Sequence, residues 1–161
     1  MDYIWSPWRF QYMAEVTQGK QPECFFCAAA KSTRDEETLV VYRGRKAFVI
    51  LNRYPYTSGH VMIVPYAHVP ELSLCDAEAL KEMMELAQRV EAAFHTNYGP
   101  DGMNLGMNLG KAAGAGVAGH LHLHMLPRWI GDTSFMTVTG ETRVQPEELQ
   151  TTFDKLRKAL A

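Results

Sequence analysis

Apolar positions recur along this chain with two different periods, and the two periods separate strands from helices. Thr38 to Tyr42 and Ala47 to Leu51 are β-branched and aromatic and lie on either side of Gly44, which predicts a hairpin. Pro55 and Gly59 punctuate the loop that follows, and His60 to Val64 reads as a third strand ending at Pro65. From Asp76, placed to cap it, a long helix is expected to run to about Tyr98. Its stripe is Leu80, Met83, Met84, Ala87, Val90 and Phe94, the i, i+3, i+4, i+7 pattern of one buried face. Asp101 to Leu109 and His120 to Leu126 read as two more strands around a Gly-rich loop. A short helix from Pro7 through Val16, a strand at Phe135 to Thr139 and a terminal helix from Pro146 complete the pattern. Strands, one long helix and further strands predict an α+β domain with a mostly antiparallel sheet.

Composition narrows the picture only a little. The 161 residues suit one domain, and 47% hydrophobic with 21% charged residues is ordinary for a globular protein. A formal net charge of −2 leaves no cationic excess for broad binding to nucleic acid or a membrane surface. The basic cluster of Arg43, Arg45 and Lys46 surrounds Gly44 and reads as a solvated hairpin turn. Met1 to Trp5 lacks the features of a signal peptide, and no apolar run approaches the ~20 residues that span a bilayer. A cytoplasmic location with reduced thiols is therefore expected. Cys24 and Cys27 are then candidate metal ligands, and Cys75, just before the long helix, is a small packing residue.

The chemistry concentrates in His120-Leu121-His122-Leu123-His124. In a strand, alternate side chains share a face, so the three imidazoles line one side and Leu121, Leu123 and Met125 the other. Three surface histidines on an edge strand would need no further explanation. A single metal site built from all three is disfavoured, because His120 and His124 would lie roughly 13 Å apart at Cα. Tetrahedral ligation needs each nitrogen ~2.0–2.1 Å from the ion. Divided labour among the three fits better. A neutral imidazole can attack phosphorus and later leave. The preceding run from Gly110 to Gly119 is small enough for backbone N–H groups to approach an anion. Such a nest would stabilise charge on non-bridging oxygens.

The run His120 to Leu126 resembles the alternating signature of the histidine triad family. The similarity extends to Leu51-Asn52-Arg53-Tyr54-Pro55-Tyr56, Gly59-His60 and Pro127-Arg128-Trp129. Trp5-Ser6-Pro7-Trp8-Arg9, Asn104-Leu105-Gly106, Asn108-Leu109-Gly110 and Gly131-Asp132 with Phe135 look like the bacterial diadenosine tetraphosphate phosphorylase branch. The resemblance implies a five-stranded or slightly larger sheet in one domain spanning 1–161. Within it, 1–37 would be an N-terminal extension, 38–130 the core and 131–161 a C-terminal strand and helix. It implies that His122 is transiently nucleotidylated. His124 would then bond the α-phosphate or the leaving oxygen, with His120 the third member of the triad. Asn52 would contact ribose, Asn108 would lie near the α-phosphate and His60 would support the triad strand. Many members carry a glutamine in the Gly-rich loop. Here Ala115 and Gly116 occupy that stretch, which shifts expected phosphate binding to the backbone of Gly114, Ala115, Gly116 and Val117.

Cys24-Phe25-Phe26-Cys27 has the spacing of half a zinc site, although a redox pair or simple burial also gives it. Bacterial family members complete such a pair with two histidines, which here match His68 and His120. The implied set of Cys24, Cys27, His68 and His120 would be a closed, structural zinc site. No organic cofactor is implied, and His95 is expected to be exposed. The implied substrates are adenine nucleotides or dinucleoside polyphosphates, with phosphate or water as acceptor, and the implied assembly is a homodimer. A phosphoramidase-like hydrolase and a nucleotide-binding adaptor without turnover are the alternatives.

Overall fold

The computed structural model describes residues 24–132 and 146–161. The expected Pro7–Val16 helix and Phe135–Thr139 strand lie outside the described residues. Among the described residues, five strands form one antiparallel sheet: β1 (Val40–Arg43), β2 (Ala47–Leu51), β3 (Val61–Pro65), β4 (Gly102–Gly106) and β5 (Leu123–Arg128), in the order β1-β2-β3-β5-β4. The helices are α1 (Phe25–Lys31), α2 (Asp35–Thr38), α3 (Ala77–Tyr98) and α4 (Leu149–Leu160). The α+β class and the long helix expected from periodicity are both present.

β2 and β3 pair along their whole lengths, from Ala47 opposite Pro65 to Leu51 opposite Val61, and every residue of both is buried. That is why they read as continuous apolar runs rather than alternating ones. Helix α3 packs on β2, β3 and β5, and α4 packs on α3 and β1. The buried face of α3 carries Met83, Leu86, Ala87, Val90 and Phe94, whereas Met84 is 49% exposed. One residue past Met83 is about 100° round the helix, so the two methionines cannot share the stripe. Asp76 stands at the start of α3, and its carboxylate meets the Lys46 ammonium at 3.0 Å.

Several boundaries differ from the sequence reading. Thr38 ends α2 instead of opening β1, and Leu39 adopts a left-handed conformation (φ 63°) that turns the chain into the sheet. His60 precedes β3, with its N–H on the Thr57 carbonyl and its carbonyl accepting from Asn52. The β4–β5 ladder stops at Gly106 opposite His124, short of Leu109. The segment from His120 to His122 precedes the ladder, and Leu121 N–H donates to the Val69 carbonyl at 2.7 Å. The terminal helix begins at Leu149 rather than at Pro146.

The β1–β2 turn is not simply solvated. Arg43 reaches back to α1 and donates to the carbonyls of Ala29, Ala30 and Ser32 at 2.7–2.9 Å. These are carbonyls at the helix end that have no intrahelical partner, so Arg43 closes α1. The amides of Arg45 and Lys46 both donate, at 2.6 Å, to the buried carboxylate of Glu82 on α3. Gly44 is required there, since a Cβ would lie 2.4 Å from Glu82 Oε1 and 2.7 Å from the Ala47 carbonyl.

Candidate active site

Two constellations meet at His120. Cys24 caps the start of α1 and Cys27 lies in its first turn, a three-residue spacing that puts both thiols on one side. His68 follows β3 and is exposed, whereas His120 is 1% exposed. The donor atoms of Cys24, Cys27, His68 and His120 all lie within 4.8 Å of one another. His120 Nδ1 is 3.4 Å from Cys24 Sγ and 3.6 Å from Cys27 Sγ, and His68 Nδ1 is 3.3 Å from Cys27 Sγ. Sulfur and nitrogen ligands on one tetrahedral zinc ion stand about 3.5 Å apart, given bonds of about 2.3 and 2.0–2.1 Å. The donor set and its spacing fit that ion. His120 Nε2–H donates to the Pro65 carbonyl at 2.8 Å, so the Nδ1 lone pair is the one turned toward the thiols. An outer hydrogen bond of this kind orients a metal-binding imidazole.

His122 is 4% exposed, and its Nδ1 lies 2.8 Å from the His120 carbonyl. A carbonyl only accepts, so Nδ1 carries the proton and Nε2 keeps its lone pair. Burial holds the imidazole below its ordinary pKa, against the opposing effect of the His120 carbonyl, and keeps it neutral. A neutral ring with a bare Nε2 is the nucleophilic form.

His124 has the opposite tautomer, and a chain of bonds sets it. The Tyr56 backbone N–H donates to His60 Nδ1 at 3.2 Å. His60 therefore carries its proton on Nε2, which donates to His124 Nδ1 at 2.9 Å. His124 in turn holds its proton on Nε2. Burial, reinforced by His122, depresses His124 to about 4; burial, with His124 and His122 adding to it, depresses His60 to about 3. The rings of His122 and His124 are 4.8 Å apart. One offers a bare nitrogen and the other an N–H. Gly59 enables this placement, since its φ is +86° and a Cβ would press on Pro127 Cγ at 3.0 Å.

The remaining sequence candidates fall in two groups. Asn52 lies beside His60: its Oδ1 accepts from Tyr54 N–H at 2.9 Å, and its Nδ2 sits 3.3 Å from His60 Nδ1. Asn108 is half-buried against the loop, its Nδ2 4.0 Å from where a Cβ on Gly114 would stand. Within the loop, Lys111–Ala113 forms one tight helical turn. The amides of Gly114 and Ala115 bond back to the Lys111 and Gly110 carbonyls, and so are not free donors. Among the described residues, the amides of Val117, Ala118 and Gly119, immediately before His120, donate to no backbone carbonyl. Any backbone nest is thus shifted toward the triad from the stretch expected. Lys111 and His95 are exposed.

The sequence reading missed three contributors. Phe26, inside the Cys-x-x-Cys motif, is 1% exposed and packs on His120 and His122 with ring centroids 5.3 and 5.0 Å away. Tyr56 acts through its backbone, and its ring lies 4.6 Å from that of His60. Arg43 anchors α1 from the sheet. No side-chain pattern announces a backbone donor or a helix end held from elsewhere, although an aromatic residue between two candidate ligands marks a covered site.

Fold and site together define a small α+β protein with alternating histidines leading into the central strand β5, tied to a Cys₂His₂ cluster. The HIT domain family model matches residues 33–129. AP-4-A phosphorylase from Mycobacterium tuberculosis (strain H37Rv) is 41% identical over 155 residues, covering 92% of this chain and 79% of that protein. Among solved structures, a zinc-bound histidine triad family protein from Mycobacterium smegmatis matches with a TM-score of 0.68 at 31% identity, over 86% of this chain and 93% of that one. A histidine triad nucleotide-binding protein from Sulfolobus tokodaii matches with a TM-score of 0.67 at 27% identity, over 85% and 91% of the two chains. The chain belongs to the histidine triad (HIT) family.

Proposed function

We propose that this chain is a nucleotidyltransferase that splits diadenosine tetraphosphate with phosphate, giving adenosine diphosphate and adenosine triphosphate. The observation that carries the reading is the pair of opposite tautomers on His122 and His124. His122 Nε2 attacks the α-phosphorus, and the bond to the bridging oxygen breaks with its electron pair leaving on adenosine triphosphate. His124 Nε2–H bonds the leaving oxygen as charge builds on it. The Val117, Ala118 and Gly119 amides are assigned to the non-bridging oxygens. In the second step a phosphate oxygen attacks the adenylylated His122, and Nε2 departs with its electron pair. Asn52 is assigned to the ribose, Asn108 to the α-phosphate side and His60 to holding His124. The 41% identity to an AP-4-A phosphorylase supports phosphate as the acceptor.

Cys24, Cys27, His68 and His120 would hold zinc, which supplies a structural cross-link between α1 and the strand of the triad. No organic cofactor is needed for this chemistry. The protein is assigned to the cytoplasm, where the thiols stay reduced. No helix among the described residues is long and apolar enough to cross a membrane. A homodimer is proposed from the family resemblance. The test is labelled phosphate with diadenosine tetraphosphate: label is expected in adenosine diphosphate. Adenosine monophosphate as the main product at saturating phosphate would make water the acceptor.

A further inference from the structure

We infer that Phe26 is a positioning residue for His122: it walls the nucleophilic imidazole into the one orientation that presents Nε2. The inference rests on the assignment of His122 as nucleophile. Among the described residues, His122 has one hydrogen bond to its ring, from Nδ1–H to the His120 carbonyl. A single bond leaves an imidazole free to tilt, and to flip about its last side-chain torsion once water can replace the lost partner. Two neighbours restrict it. The His124 ring meets it nearly edge-on at 4.8 Å and 73°, and the Phe26 ring lies at 5.0 Å and 43°. Phe26 also meets the His120 ring edge-on at 5.3 Å, so one side chain packs on the imidazoles of both residues that the Nδ1–H to carbonyl bond joins. It is 1% exposed, and the bond from His122 Nδ1 to the His120 carbonyl is buried.

The wall is held in place by more than its own packing. Helix α1 has only 7 residues, too short to persist alone in water. It is fixed at its start by Cys24 and Cys27 among the donor cluster, and at its end by the Arg43 guanidinium on three carbonyls. Asp35 in turn holds Arg43, with an ion pair at 2.8 Å. Phe26 sits between the two cysteines on the first turn. A short helix anchored at both ends delivers one aromatic ring onto the nucleophile. Its partner face is the segment between His120 and His122, where no β-ladder fixes the backbone.

The test compares Phe26→Ala and Phe26→Leu with the parent by two readouts, with circular dichroism and zinc content recorded for each. Long-range ¹H–¹⁵N correlation spectra of the full chain report the His122 tautomer without any substrate. Steady-state kinetics with diadenosine tetraphosphate and phosphate report kcat and KM separately. The expected result for a folded Phe26→Ala with parental zinc content is a mixture of His122 tautomers and a kcat lower by about tenfold or more, with KM within about twofold. Phe26→Leu, which keeps apolar bulk, should recover most of the loss while staying about threefold below the parent. A single tautomer with unchanged kcat in Phe26→Ala overturns the inference and leaves Phe26 as core packing. If Phe26→Ala does not fold, Phe26→Leu decides: parental kcat and a single tautomer overturn it, and a reduced kcat with mixed tautomers supports it. If the parent does not turn over diadenosine tetraphosphate, the functional reading fails on its own, and the tautomer spectra still decide the role of Phe26.

Discussion

The main-chain carbonyl of His120 accepts the Nδ1 proton of His122 at 2.8 Å, while the His120 ring faces two cysteines. One residue thereby belongs to both constellations, through different atoms. Three backbone groups (the Pro65 carbonyl, the His120 carbonyl and the Tyr56 amide) set the tautomers of His120, His122, His60 and, through His60, His124.

Replacing His122 with Asn should abolish turnover by at least about a thousandfold while adenosine monophosphate still binds within a few-fold of the parent. The bare Nε2 is lost, but His124 and the loop amides remain. Rapid-quench intact-mass spectra should show an adenylylated parent and no adduct on the variant. Activity within about tenfold of the parent would mean that another group is the nucleophile.

Zinc should co-purify at about one ion per chain, measured by elemental analysis on protein prepared without chelator. Cys24→Ser should remove most of it and lower unfolding free energy by more than about 4 kcal/mol. Absence of zinc from the parent would reduce the cluster to four neighbouring side chains.

Acid should destabilise the protein in a defined window. The folded pKa of His60 is about 3 and that of His124 about 4, against an ordinary value of 6.5, with burial the largest cause for each. Both are depressed, so the unfolded chain binds protons more readily, and the stability is complete above about pH 6.5. It is lost as the pH falls toward about 4 and then 3. At pH 5 the buried His60 alone should cost about 2 kcal/mol. Urea unfolding near pH 7.5 and pH 5 reads this, and His60→Gln should flatten the dependence. An equal midpoint at both pH values in the parent would contradict the buried neutral pair.

Glu82→Ala should destabilise by about 3 kcal/mol, because two amide donors lose a charged acceptor inside the protein. Each of those bonds is 2.6 Å long. Denaturant unfolding measures the loss, and a change below about 0.5 kcal/mol would show that water replaces the carboxylate.

Legibility in the sequence followed the range of the interactions. Strands β2 and β3 and helix α3 were readable because local hydrophobic pattern decides them, and their ends fall within one residue of expectation. Met84 was misplaced because adjacent apolar residues fit a stripe on paper although a helix separates them by about 100°. Helix α1 was invisible for the opposite reason: its seven residues owe their helix to Arg43 and to the His68 and His120 rings beside its cysteines, all farther along the chain. The histidine run showed which residues carry chemistry. It could not show that His122 and His124 bear opposite tautomers, because the groups that decide this are a carbonyl and an amide. The Gly114 and Ala115 amides looked available from composition alone, whereas the turn they build consumes them.

Cys24 and His120 are 96 positions apart in the chain. During synthesis at about 5–20 residues per second, the first donor precedes the fourth by roughly 5–20 seconds. His68 joins Cys24 and Cys27 partway through that interval, and the set still lacks the ring that completes it. The carbonyl that orients the His122 ring belongs to the same late residue. The fourth donor of the cluster and the carbonyl acceptor of His122 thus become available at one moment in the life of each polypeptide. A product halted anywhere before residue 120 lacks both together.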